Sequence, residues 1–203
     1  MTIDPAGADV LDVYRTLIGM VTPRPIAWVT TTDRLGRVNL APFSFFNVFG
    51  SDPPVVVFSP TLKRDGCKKD TLLNIEETGE FVINCAVESV IEALNLTSAE
   101  LARGKSEADL AGLELIPSER VKPPRVAASP AHLECRLIQV LPIGNAPSSA
   151  NLVIGEVVFL HVSDDVIGSD GRIDPRKLKT VGRLGGDFYA KTSDLFELPR
   201  PAF

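Results

Sequence analysis

The sequence predicts a mainly β protein, an antiparallel barrel with a few short peripheral helices. Three observations carry that expectation. At least six runs of β-branched, aromatic or alternating apolar residues follow one another along the chain. They do not alternate regularly with helices, as a parallel sheet would require. Gly-, Asp- and Pro-rich turn signals such as DRLGR and GSDGRID separate them.

Each element follows from local sequence. The segment ADVLDVYRTLIGMV, residues 8–21, puts Val10, Val13, Tyr14, Leu17 and Ile18 on one helical stripe. Pro23 and Pro25 then end the helix. PIAWVTTTD is β-branched, DRLGR is a turn and VNLAPFSFFNVFG is a second strand, together a hairpin. PPVVVFSP is a short, wholly apolar strand between prolines, the pattern of a buried strand. DTLLNIEE is a short helix with Asp70 at its N-cap, and GEFVINCAV is a further strand. SVIE at 89–92 and TSAE at 97–100 have capping-box spacing, and each predicts a helix start. Residues 103–130, rich in proline and charge, form an irregular excursion: a lid, an arm across a partner subunit, or a surface loop. Two long strands follow, AHLECRLIQVLPIG and ANLVIGEVVFLHVSDDVI. In VGRLGGDFYA the pair Gly185 and Gly186 permits a tight turn that places Arg183 and Tyr189 near the barrel.

A chain of 203 residues, 44% hydrophobic and 23% charged, fits one domain over residues 1–203 with a sizeable core. A net charge of −5 and a pI near 5.1 argue against nucleic acid and anionic membrane as partners. No apolar run approaches the ~20 residues of a bilayer span. The acidic N-terminus lacks a hydrophobic signal core, so a cytoplasmic protein is expected. Three cysteines, Cys67, Cys85 and Cys135, make no disulfide framework; Cys85 and Cys135 read as buried thiols. His132, Cys135 and His161 match no common zinc spacing, and no metal is expected. No nucleophile motif is present, and no side chain is assigned a catalytic role.

Two stretches could carry a ligand. Lys63, Arg64, Lys68 and Lys69 crowd the approach to the DTLLNIEE helix, whose N-terminus offers free N–H groups and partial positive charge. With Thr71 they would cradle a phosphate, Arg64 as a fork; a solvated loop accounts for the same residues. Upstream, NLAPFSFFNVFGSDPPVVVFSP holds five of the ten phenylalanines. Its small residues Asn39, Ala41 and Ser44, with Pro42 interrupting the ladder, would suit a flat aromatic ligand. Core packing explains the phenylalanines equally well.

Taken together, TPRPIAWVTTTDRLGRVNLAPFSFFNVFGSDPPVVVFSP, KKDTLLNIEETGEFVIN, HLECRLIQVLPIG, IGEVVFLHV, DGRID and VGRLGGDFYA resemble the flavin reductase-like FMN-binding split-barrel family, in its flavoredoxin-like branch. The resemblance implies a Greek-key-like split β-barrel, a homodimer, and FMN near the subunit interface. It implies a ring lying against Asn39, Ala41, Pro42, Phe43, Ser44 and Phe46, with Thr30 and Thr31 as neighbours. The phosphate would lie near Ser59, Arg64, Lys69 and Thr71, and Arg183 and Tyr189 would also touch the cofactor. The implied activity is flavoprotein oxidoreduction, with NAD(P)H as co-substrate. One departure bears on that. Many NAD(P)H-dependent reductases of the superfamily carry a Gly-Asp-His run, associated with the nicotinamide site, where this chain reads SSANLVIGEV. The absence favours an alternative, an electron carrier reduced by a redox partner protein. A flavin- or haem-binding module without turnover is a third expectation.

Overall fold

The run Ala27–Thr32, strand β1, is buried at all six positions, which requires cover on both faces of a sheet. The computed structural model, which describes residues 1–201, supplies it. Helix α1 (Val10–Met20) precedes β1. Then come β2 (Val38–Phe43), β3 (Phe46–Ser51), β4 (Pro54–Phe58), helix α2 (Asp70–Thr78) and β5 (Glu80–Cys85). Short helices α3 (Ile91–Leu96) and α4 (Glu107–Leu110) and a two-residue ladder, β6 (Leu115–Ile116) with β7 (Arg125–Val126), occupy the middle of the chain. The long strands β8 (Ala131–Ile143) and β9 (Ala150–Val162) follow. The chain closes with α5 (Pro175–Leu178) and the hairpin β10 (Val181–Arg183) and β11 (Tyr189–Lys191).

Seven strands form one antiparallel sheet in the order β2-β1-β5-β8-β9-β4-β3. The expected second strand of the first hairpin is therefore two strands. It breaks at Ser44 and Phe45, and its halves become the opposite edges of the sheet. No ladder joins β2 to β3 among the described residues, so the barrel expected from sequence is an open, curled sheet rather than a closed one. The curl is visible in the packing. Phe43 on β2 meets Phe58 on β4, ring centroids 5.3 Å apart, although the two strands lie five places apart in the sheet order. Ala27, Val29, Phe81, Ile83, Cys135 and Val153 join them in one core, capped by Leu72 and Ile75 of α2. Pro42, opposite Trp28 in the register, is tolerated because β2 is an edge strand that needs no second set of ladder donors.

The other face of β1 carries Trp28, packed with Leu40, Leu94, Ala108 and Val126. The excursion 103–130 thus covers its own sheet. Glu107 accepts a hydrogen bond from the Leu40 amide (3.0 Å), and Asn84 Oδ1 accepts from the Val126 amide (2.7 Å). Helix α1 departs from its sequence pattern: of its stripe only Ile18 is buried, while Val10, Leu11, Leu17 and Met20 are exposed. No helix among the described residues is long and apolar enough to cross a membrane.

Candidate functional site

Two adjoining clefts, of about 150 and 180 Å³, share Pro42, Phe43 and Ser98 and make one trough beside the edge strand β2. Its first lobe is lined by Asn39, Ala41, Lys63, Lys69 and Thr71 on one side and by Thr97–Leu101 on the other. Its second lobe is lined by Ile26, Ser44, Leu94, Asn95, Arg183 and Tyr189. At ~3.3 Å per residue, the extended stretch from Asn39 on β2 to Ser44 just past its end sets the length of the trough at roughly 17 Å.

The first lobe ends on the N-terminus of α2. Its N-cap is Lys69, not Asp70, and no side chain caps it, so the first-turn N–H groups keep their free donors. Asn39 Nδ2 donates to Thr71 Oγ1 at 2.9 Å, fixing both side chains on the wall. The four basic residues of the patch divide. Lys68 pairs with Glu76 at 2.7 Å, Arg64 is exposed on the turn, and Lys63 and Lys69 line the lobe without a carboxylate partner among the described residues. A tight turn decides which side chain faces in: the Lys63 amide donates to Cys67 O (2.8 Å) and the Gly66 amide to Lys63 O (3.0 Å), with Gly66 at φ +81°. Lys69 Nζ stands 5.7 Å from the Phe43 ring centroid. Desolvation holds its ammonium below the ordinary lysine value, with Glu100 opposing and Lys63 reinforcing the shift.

Three carboxylates line this lobe: Glu100, which acts on Lys69 from the opposite wall, and Asp70 and Glu107, which are both engaged. Asp70 faces Arg103 at 3.5 Å. Glu107, buried, is pushed up by desolvation although the Leu40 amide supports its charged form. An uncapped helix N-terminus flanked by two unpaired lysines fits an oxyanion, and a phosphate in particular.

In the second lobe the Arg183 guanidinium lies 4.5 Å over the Tyr189 ring and donates to Gly186 O at 2.7 Å. Tyr189 donates its hydroxyl proton to Asn95 Oδ1 at 3.2 Å. No carboxylate lines this lobe.

Of the residues expected from sequence, the trough gathers Asn39, Ala41, Pro42, Phe43, Ser44, Lys69, Thr71, Arg183 and Tyr189. Five others stand elsewhere. Thr30 and Thr31, both 0% exposed, are held by Asn84 and Asn74, whose amides donate to their hydroxyls at 2.7 and 3.1 Å. Ser59 is buried and accepts from the Asn151 amide (3.2 Å) at the β4–β9 junction. Phe46 lines a separate apolar cavity with Arg24, Ile83 and Leu133. Arg64, as noted, points to solvent because the turn selects Lys63. Lys63 was expected only as one member of the basic patch, and Asn95, Ser98 and Glu107 were not expected. The 97–100 run misled: Thr97 caps the C-terminus of α3, its hydroxyl donating to Leu94 O (2.7 Å) and accepting from Trp28 Nε1 (2.8 Å). No capping box forms at 89–92 either, since Val90 is the N-cap of α3 and makes no side-chain cap bond.

The flavin reductase-like domain model matches residues 20–176. The chain is 38% identical to the crystal structure of nitrilotriacetate monooxygenase component B from Bacillus cereus, with TM-score 0.92 and 98% of each chain covered. It is 32% identical to 2-nitrobenzoate 2-nitroreductase from Pseudomonas fluorescens, with TM-score 0.87 and coverage of 100% of this chain and 98% of that one. Flavoredoxin of Desulfovibrio vulgaris, at 23% identity, TM-score 0.74 and coverage of 100% and 98%, shares the fold. With most of its length matched by one domain model and its fold shared from end to end, the chain belongs to the flavin reductase-like domain family.

Proposed function

We propose that the protein is an FMN-binding oxidoreductase of the flavin reductase type and that the trough is its cofactor site. The uncapped N-terminus of α2, opening onto the trough between Lys63 and Lys69, carries the proposal, because it supplies what a flavin phosphate needs at one end of a trough long enough for the rest. Family membership agrees with it. Bound there, FMN would supply one- and two-electron redox chemistry. The chain's own groups bind and orient. Lys63, Lys69 and the first-turn amides of α2 hold the phosphate, Ala41, Pro42 and Phe43 give an apolar wall, and Arg183 places a fixed positive charge at the far end. A fixed cation there favours whatever negative charge develops on the ligand during reduction. No protein acid, base or nucleophile is required.

Two copies are proposed to associate through apolar surface that one copy leaves exposed, including Leu11, Leu17 and Met20 of α1 and Val48 and Phe49 of β3; light scattering coupled to gel filtration tests this. A second reading, an electron carrier reduced by another protein, is favoured by the absence of histidine from the trough lining. His132 and His161 instead face each other across β8 and β9. The experiment is titration of the purified protein with FMN, followed by anaerobic NADH or NADPH. Bleaching of the flavin band within seconds supports the reductase. Bleaching by dithionite alone supports the carrier. A protein that acquires no flavin spectrum refutes both.

A further inference from the structure

Arg24 lies between two prolines, and nothing in its sequence context marks it for function. In the structure it is 5% exposed and pairs with no carboxylate among the described residues. A buried guanidinium without an acid must be met by neutral acceptors. Two of these are carbonyls at the C-terminal end of α1, Ile18 O (2.6 Å) and Val21 O (2.8 Å), where a cation is favoured by the helix dipole. A third is Leu184 O at 3.0 Å, in the turn after Arg183. The main chain of Arg24 also bridges that of Arg183 in both directions, N–H to O at 2.9 and 2.8 Å. Both terminal nitrogens are therefore committed to scaffold. The remaining donor, Nε, is aimed at Ser44 Oγ, at 3.3 Å.

That bond fixes the sense of the Ser44 hydroxyl. Its oxygen accepts from Arg24, and its proton has no protein acceptor among the described residues, while Ser44 lines the second lobe. The hydroxyl is thus biased to donate into the lobe. Arg183, which has only donors, lines the same lobe; Asp187 approaches its guanidinium at 3.7 Å from outside the lobe, and no carboxylate lines the lobe beside Ser44.

We propose that Arg24 is a positioning residue which, without touching the ligand, turns Ser44 into a dedicated hydrogen-bond donor for an oxygen or nitrogen acceptor on the edge of the bound ring. The proposal rests on the FMN assignment above and adds to it the group that Ser44 meets and the residue that sets its direction. Lysine at position 24 separates the two roles of the guanidinium. It keeps the charge near the helix carbonyls but has no Nε.

The test is a double-mutant cycle on the full chain with Arg24→Lys, Ser44→Ala and both together, reading the Kd for FMN and for riboflavin and the position of the bound-flavin absorption bands. Loss of one directed donor is expected to weaken both ligands about tenfold in each single variant, because the ring and not the phosphate is concerned. The bands should shift in the same sense in both single variants. The double variant should bind no more weakly than Ser44→Ala alone, and Ser44→Thr, which keeps the hydroxyl, should restore binding. Effects that multiply in the double variant overturn the proposal, as does an Arg24→Lys protein that melts earlier yet keeps the wild-type bands. Should Arg24→Lys not fold, Ser44→Ala against Ser44→Thr still decides, since equal affinity and equal bands in the two refute a directed donor. A wild-type protein that binds no flavin instead refutes the function proposed above.

Discussion

Replacing Lys69 by alanine tests the phosphate end of the trough most directly. The ammonium lines the lobe beside the uncapped helix end, 5.7 Å from the Phe43 ring centroid and within the fields of Glu100 and Lys63. Two unit charges ~4 Å apart at an effective dielectric of about 20 interact by about 4 kcal/mol. Lys69 is only partly buried, so solvent and the lost hydration of the phosphate consume roughly half of that. The remaining ~2 kcal/mol lies within the range of a charge-assisted hydrogen bond and corresponds to a rise of about 30-fold in the Kd for FMN. Riboflavin, which has no phosphate, should be nearly unaffected. Calorimetric or fluorescence titration of both ligands against wild type, Lys69→Ala and Arg64→Ala reads the difference. Arg64→Ala serves as the control, since its side chain points to solvent, and should change FMN affinity little. Equal loss of FMN and riboflavin in Lys69→Ala, or a larger loss in Arg64→Ala, would refute the assignment of Lys63, Lys69 and the helix end as the phosphate cradle.

Because desolvation holds the free Lys69 below the ordinary lysine value and a bound dianion raises it again, FMN binding should take up a proton at alkaline pH. The preference for FMN over riboflavin should then fall as pH rises through the lowered Lys69 value, and fall again below ~6 as the phosphate takes its second proton; titrations across pH measure both limbs. Thr97→Val should leave the buried Trp28 indole N–H without its acceptor, costing about 1–3 kcal/mol of stability in urea unfolding and loosening the 97–101 wall, so FMN affinity falls with it. Glu134, wholly buried, suffers desolvation, but hydrogen bonds from the Glu119 and Arg120 amides and from His161 outweigh it and hold its carboxyl below the usual range. A lowered carboxylate pKa stabilises the fold above the unfolded value near ~4.3 and loses that contribution as pH falls through the folded value. Glu134→Gln should therefore unfold at lower urea at pH 7 and show a flatter decline toward pH 3 than wild type.

The strands were legible because their signals are local. GEFVINCAV and PPVVVFSP each mark a strand locally, but burial differs from the pattern: the strand of the first is buried at four consecutive positions, Phe81 to Asn84, and that of the second only at Val56 and Phe58. The break at Ser44 and Phe45 was not, because VNLAPFSFFNVFG reads as one β-rich run. What divides it is the competition of β1 and β4 for its two halves, a contest between segments distant in the chain. The same holds in the site. Asn39, Ala41 and Ser44 were found from small residues around a proline on an edge strand. Thr30 and Thr31 look equally suitable, and only Asn84 and Asn74, more than 40 positions away, take their hydroxyls out of play. Lys63 and Arg64 are adjacent and both basic, so composition cannot rank them; the turn closed at Gly66 does. Arg24 carried no signal at all, since its partners lie on α1, at Ser44 and at Leu184.

The chain has a single tryptophan. It is 0% exposed and sits behind the trough, its indole bonded to Thr97 at the root of the wall that faces β2. Tryptophan emits in the near ultraviolet, where oxidised flavin absorbs, so a flavin in the trough would take up that emission by energy transfer. The molecule therefore carries its own optical reporter: occupancy should dim one emitter of fixed position, and reduction of the flavin, which weakens the overlapping absorption, should brighten it again. Filling of the trough and electron flow through it can then be followed in the same unlabelled sample.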